Sequence, residues 1–199
     1  LASQTIASRI TDLTEALRVM EPEANLDLLR TLCITLHQQA EPSRNKHARI
    51  RAPQEIWRAC ETFMLEMIRS DVAPTYPQAS RYRDAMILAM LAHRPIRRRN
   101  IANLTLGVHL TQEVGKCYCH IPHTETKDAR YIEFTLPQDE GFVACFSYYL
   151  QVVRQKLLKH HQMDHGALHT LTGPLWVSTR GRILTDHALY YAVTRISKE

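Results

Sequence analysis

The sequence predicts a mainly α chain with a small three-stranded antiparallel sheet, an α+β fold. Two observations carry that prediction. Apolar residues recur at helical spacing over residues 5–20 and again from Pro53 to Met67. After Leu104 the texture changes to short β-rich runs joined by polar turns, and helical spacing returns beyond Gln138. Helices, a meander, then helices again is the order of an α+β layout.

Each element has a local reason. Ile6, Ile10, Leu13, Leu17 and Met20 form one stripe of a first helix, which Glu21-Pro22 stops. Asn25 is placed to cap a second helix carrying Leu26, Leu29, Cys33 and Leu36. Glu41-Pro42-Ser43 and the basic run after it read as a linker. Pro53 opens a third helix with Ile56, Trp57, Cys60, Phe63, Met64 and Met67 facing inward. Pro74 and Pro77 are expected to break the chain before a strongly apolar helix from about Tyr82 to Ala92. A short helix resumes after Pro95, through Ile101 and Leu104. Thr105–Leu110, Val114–Ile121 and Tyr131–Leu136 read as three strands of a meander. A long helix follows from about Gln138 to His160, then a polar, histidine-rich loop. Leu175–Ser178 reads as a short extended piece, Gly181 as a turn, and Thr185 as the cap of a last helix through Tyr190, Val193 and Ile196.

Composition excludes several classes. The chain has 199 residues, is 45% hydrophobic and 23% charged, and so can bury a real core. No apolar run reaches the ~18 residues of a membrane span. No secretory leader is recognised at Leu1, and five cysteines, an odd number, suit a reducing cytosol. With six glycines there is neither a Walker-type loop nor a dinucleotide fingerprint.

The net charge of +5 is unevenly spread. Residues 1–40 hold three arginines against five acids, whereas the remainder holds 22 basic and 15 acidic residues. Arg44, Lys46, Arg49 and Arg51 form one cluster; Arg94, Arg97, Arg98 and Arg99 form another, in a stretch without an acid between Asp84 and Glu113. Such a field attracts polyanions, nucleic acid first, or else is simply a solvated face. Cys117, Cys119, His120 and His123 invite a zinc reading. In a strand, however, Cys117 and Cys119 share one face and His120 takes the other, so core cysteines are expected. His160, His161, His165 and His169 read as loop histidines.

The run Tyr82–Arg97 resembles the tyrosine recombinase (phage integrase) family, which shows an apolar helix, a tight turn and then an arginine. Arg97 matches that arginine, with apolar Ile101 and Leu104 four and seven positions on. Arg94-Pro95 stands where the family has Thr-Gly, and Asn100 where it has an acid. Glu125-Thr126-Lys127 is similar to the family's lysine turn between its second and third strands, and Tyr131–Pro137 to the strand that follows. Leu175–Ser178, Gly181-Arg182 and Leu184-Thr185 resemble the segment before the family's His-x-x-Arg motif.

The resemblance implies a fold and a reaction. Residues 1–43 would be the end of a helical core-binding domain, 44–51 a basic linker, and 52–199 an incomplete catalytic domain. The reaction is site-specific recombination or integration of DNA, by strand cleavage and rejoining through a phosphotyrosine. Arg97 would bind the scissile phosphate as a permanently charged, bidentate donor. Lys127 would protonate the leaving oxygen. Arg44, Lys46, Arg49, Arg51, Arg94, Arg98 and Arg99 would contact the DNA backbone, fixing register without reading sequence. Double-stranded DNA is the implied partner, with the parent a tetramer on paired sites; no metal or nucleotide cofactor is implied. No His-x-x-Arg occurs in these residues, and Tyr190 and Tyr191 precede its expected place, so neither is assigned as nucleophile. The expectation is a fragment that binds DNA without cutting it. The alternative is a non-catalytic DNA-binding or regulatory protein on the same fold.

Overall fold

A computed structural model describes residues 2–41, 50–113, 115–159 and 172–196. The linker residues Arg44, Lys46 and Arg49 and the loop histidines 160, 161, 165 and 169 lie outside the described residues. The chain forms two compact units, Leu1–Ile50 and Arg51–Glu199.

The first unit is a pair of helices, α1 (Ser3–Met20) and α2 (Asp27–Gln39). Asn25 accepts the Asp27 N–H at 2.9 Å and so turns the chain into α2. Ala7, Thr14 and Leu26 are buried, and the Thr14 hydroxyl lies 3.4 Å from Cys33 Sγ. The expected inward stripe is only partly realised. Ile6, Leu13 and Met20 are exposed, because two helices offer too little surface to cover an apolar face.

The second unit is built around a buried helix. Its first helix, α3 (Pro53–Arg69), starts on Pro53 and buries Cys60 and Met64. The next, α4 (Tyr76–His93), begins six residues before the expected Tyr82. Pro77 does not break the chain: it sits in the first turn, where a missing N–H costs nothing. Thr75 and Gln78 close a reciprocal cap there, with Gln78 Oε1 accepting the Thr75 N–H at 2.8 Å. Ten α4 residues are buried, including Arg83 and Asp84, as suits a helix enclosed on all sides. After Pro95 the short α5 (Arg98–Ala102) follows.

Among the described residues the sheet has five strands, not three, and is mixed. The strands are β1 (Thr105–Leu106), β2 (Leu110–Glu113), β3 (Lys116–Ile121), β4 (Ile132–Thr135) and β5 (Gly173–Pro174), in the order β4-β3-β2-β1-β5. The expected strand Thr105–Leu110 divides at Gly107, whose φ of +78° admits a tight turn. That turn sets Leu106 parallel to Leu110, while β2–β3, β3–β4 and β1–β5 run antiparallel. The β5 pairing falls before Leu175, and Leu175, Trp176 and Val177 are fully buried instead. The Trp176 indole donates to the Ile101 carbonyl at 2.9 Å.

The long helix runs as α6 (Glu140–Tyr148), a π-helical turn (Tyr149–Val153) and α7 (Arg154–Lys159). Asp139 caps it by accepting the Phe142 N–H at 2.8 Å. The last helix, α8 (Asp186–Ile196), is capped by Thr185, which accepts the Ala188 N–H. No helix among the described residues is long and apolar enough to cross a membrane.

Candidate nucleic-acid interface

Arg97 and Lys127, the two residues singled out in the sequence, lie on different elements that the fold brings together. Arg97 is the residue that enters α5, and its guanidinium donates to Asp128 Oδ2 at 2.6 Å. Asp128 follows Lys127 on the turn between β3 and β4. The side chain of Arg97 therefore meets the residue next to Lys127, across a sequence separation of 31. Lys127 itself is exposed.

That turn is held by bonds within it and by bonds to its neighbours. Thr126 Oγ1 accepts the Arg130 N–H at 2.9 Å and lies 2.7 Å from the Arg130 carbonyl. Ala129 takes a φ of +49°, a left-handed conformation that L side chains disfavour. From α5, the Asn100 amide donates to the Glu125 carbonyl at 3.1 Å. From the Gly107 turn, His109 Nδ1 accepts the Thr105 N–H at 3.0 Å. That acceptor role leaves the ring proton on Nε2, which lies 3.2 Å from the Glu125 carboxylate.

Asn100 is buried, and its partner is an acceptor. A carboxylate there would face the Glu125 carbonyl lone pairs, whereas an amide donates to them. An amide at position 100 thus suits the local chemistry of this turn.

The other arginines of the cluster are exposed and differently engaged. Arg94 ends α4 and lies over the Phe134 ring at 5.7 Å. Arg98 pairs with Asp186 at 3.1 Å and lies over Tyr190 at 5.9 Å. Arg99 and Arg51 are exposed. Tyr190 and Tyr191 stand exposed on α8, with His187 edge-on to Tyr191. The sequence reading missed Asp128, Asp186 and His109, and named Glu125 only as part of the Glu125-Thr126-Lys127 match. Only the adjacency of Asp128 to Lys127 hinted at any of them.

Cys117 and Cys119 share the inward face of β3, and burial pushes the Cys119 thiol up to about 12. His120 turns to the other face, against Tyr131. Among the described residues no three His, Cys, Asp or Glu are grouped to hold a metal ion. A cavity of about 360 Å³ lies between β2, β3 and α6, lined by Leu106, Leu110, Leu136 and Phe146 among others. Neither Arg97 nor Lys127 lines it.

Chemically, the arrangement offers a planar guanidinium, a primary amine and further guanidinium groups on exposed segments near one another in the fold. Such groups bind phosphate oxygens, and a lysine on a turn can also deliver a proton. No protein-family model matches the chain, and no curated protein or solved structure matches it at a significant level.

Proposed function

We infer that this chain binds duplex DNA through the α5 arginines and the Lys127 turn, as part of a site-specific recombinase of the tyrosine type. In the parent protein, strand cleavage and rejoining proceed through a phosphotyrosine. Arg97 stabilises charge on the scissile phosphate and Lys127 protonates the leaving oxygen. The observation that carries the reading is the meeting of Arg97 with the Lys127 turn through Asp128. Conformation as well as spacing then supports pairing these two residues. The chain contains no His-x-x-Arg, and neither Tyr190 nor Tyr191 is assigned as nucleophile, so this reading is of a chain that binds without forming a covalent adduct.

A salt titration of duplex binding tests this. Affinity should fall linearly in log–log salt, and Arg97→Ala should lower the slope by about 0.9, one phosphate contact. Salt-independent binding, or none, overturns the reading. A nicked suicide substrate should yield no protein–DNA adduct; an adduct on this chain would overturn the assignment of a chain that binds without cutting.

A further inference from the structure

We propose that Asp128 is a built-in stand-in for the DNA phosphate. Off DNA its carboxylate occupies the guanidinium of Arg97, and on binding a backbone phosphate displaces it. This rests on the DNA-binding reading above and adds to it a step of exchange.

The segment 85–112 contains no acid, so Arg97 finds no partner nearby in sequence. The fold supplies one from the β3–β4 turn, at 2.6 Å. Carboxylate and phosphate present the same kind of charged oxygen to the same planar donor, so one can replace the other. Both side chains are about half exposed, 49% and 55%, so the pair sits in water and a ligand can reach it. An exposed pair of this kind shifts an equilibrium by no more than about fivefold. A DNA phosphate brings counterion release as well, so the exchange favours DNA.

The surroundings suit such an exchange. The turn does not depend on the Arg97 pair, because Thr126 closes it from within and Asn100 holds Glu125 from α5. Releasing Asp128 therefore leaves the backbone that carries Lys127 in place. The same pair neutralises Arg97 in the free protein and keeps its guanidinium oriented towards the lysine turn. Arg98 is masked in the same way by Asp186, also from a distant segment. Two of the four arginines of this cluster are thus covered in the free protein.

The test is a double-mutant cycle on the full chain, using a short fluorescent duplex of arbitrary sequence. The proteins are wild type, Asp128→Asn, Arg97→Gln and the double variant, with Asp128→Ser as a second neutral replacement. Thermal melts show whether each variant is folded. Removing the Asp128 charge should tighten binding in either background through the net charge alone. The proposal expects a further gain of about two- to fivefold only where Arg97 is present, with an unchanged salt slope. Equal gains in both backgrounds, or no gain, overturn it. So does a slope about 0.9 steeper in Asp128→Asn, which would mean that Arg97 stays on Asp128 in the wild-type complex. If no variant binds DNA, the functional reading fails and this inference fails with it.

Discussion

Two kinds of arginine in the second unit differ in how many acceptors hold each. Arg83 is buried on α4 and satisfied on all sides. It donates to Asp84 at 2.6 Å, to Ser80 at 3.0 Å and to the Val177 carbonyl at 2.7 Å. Asp84 is fully buried and also accepts from Arg195 of α8. Arg154 is likewise enclosed, donating to the Pro174 and Thr172 carbonyls, and burial lowers its pKa. Arg97 and Arg98, by contrast, each meet one carboxylate, in water. A buried arginine with several fixed acceptors holds elements together. An exposed arginine with one exchangeable partner is available to a ligand.

The largest effect should come from breaking the buried kind. Asp84→Ala leaves two guanidinium groups without their carboxylate, one of them buried. It should lower stability by about 3–5 kcal/mol, read as a fall in the denaturation midpoint. A loss below about 1 kcal/mol would erase the distinction drawn here.

Asn100 joins the two regimes, buried yet bonded to the exposed turn. Asn100→Asp sets a carboxylate against the Glu125 carbonyl and should cost about 1–3 kcal/mol. The cost should ease at acidic pH, where the new side chain is protonated and donates. Amide exchange in residues 125–130 should rise in this variant.

Alkaline pH separates core from surface in another way. Burial pushes the Cys60 and Cys145 thiols up to about 11 and Cys119 to about 12, from 9.0 in an exposed thiol. Folded thiols keep their protons where unfolded thiols lose them. Stability is therefore intact below pH 9 and falls as pH rises above it. A melting temperature that stays flat over that range would contradict the burial of these groups.

Arg97→Ala should have the smallest effect on stability, within about 0.5 kcal/mol, since its ion pair is half exposed. Its effect should appear in DNA affinity instead. A large drop in melting temperature would place Arg97 among the structural arginines.

Much of the helical layout was legible in the sequence, because the apolar spacing of α3 and the cap at Thr185 act locally; at α2 the N-cap is Leu26 instead, and Asn25 turns the chain one position earlier. Pro77 was misread because a proline in a first turn and a proline that ends a helix look alike until the preceding cap is known. Gly107 was passed over inside a β-rich run, although its left-handed turn creates an extra strand pairing. Arg97 and Lys127 were singled out by a resemblance in residue type and spacing. The meeting of Arg97, at the start of α5, with the Lys127 turn through Asp128 was not legible, since Asn100, Glu125, His109 and Asp128 are ordinary residues until the chain folds them together.

By itself the sequence determined the class of the fold, the acid-free stretch with its arginines, and a lysine on a turn between strands. These follow from periodicity, composition and turn chemistry, which are short-range properties. Tertiary structure alone decided which arginines are enclosed, which acid covers Arg97, and why an amide suits position 100. Those outcomes depend on contacts between residues tens of positions apart. Packing creates such contacts, and no local pattern encodes them.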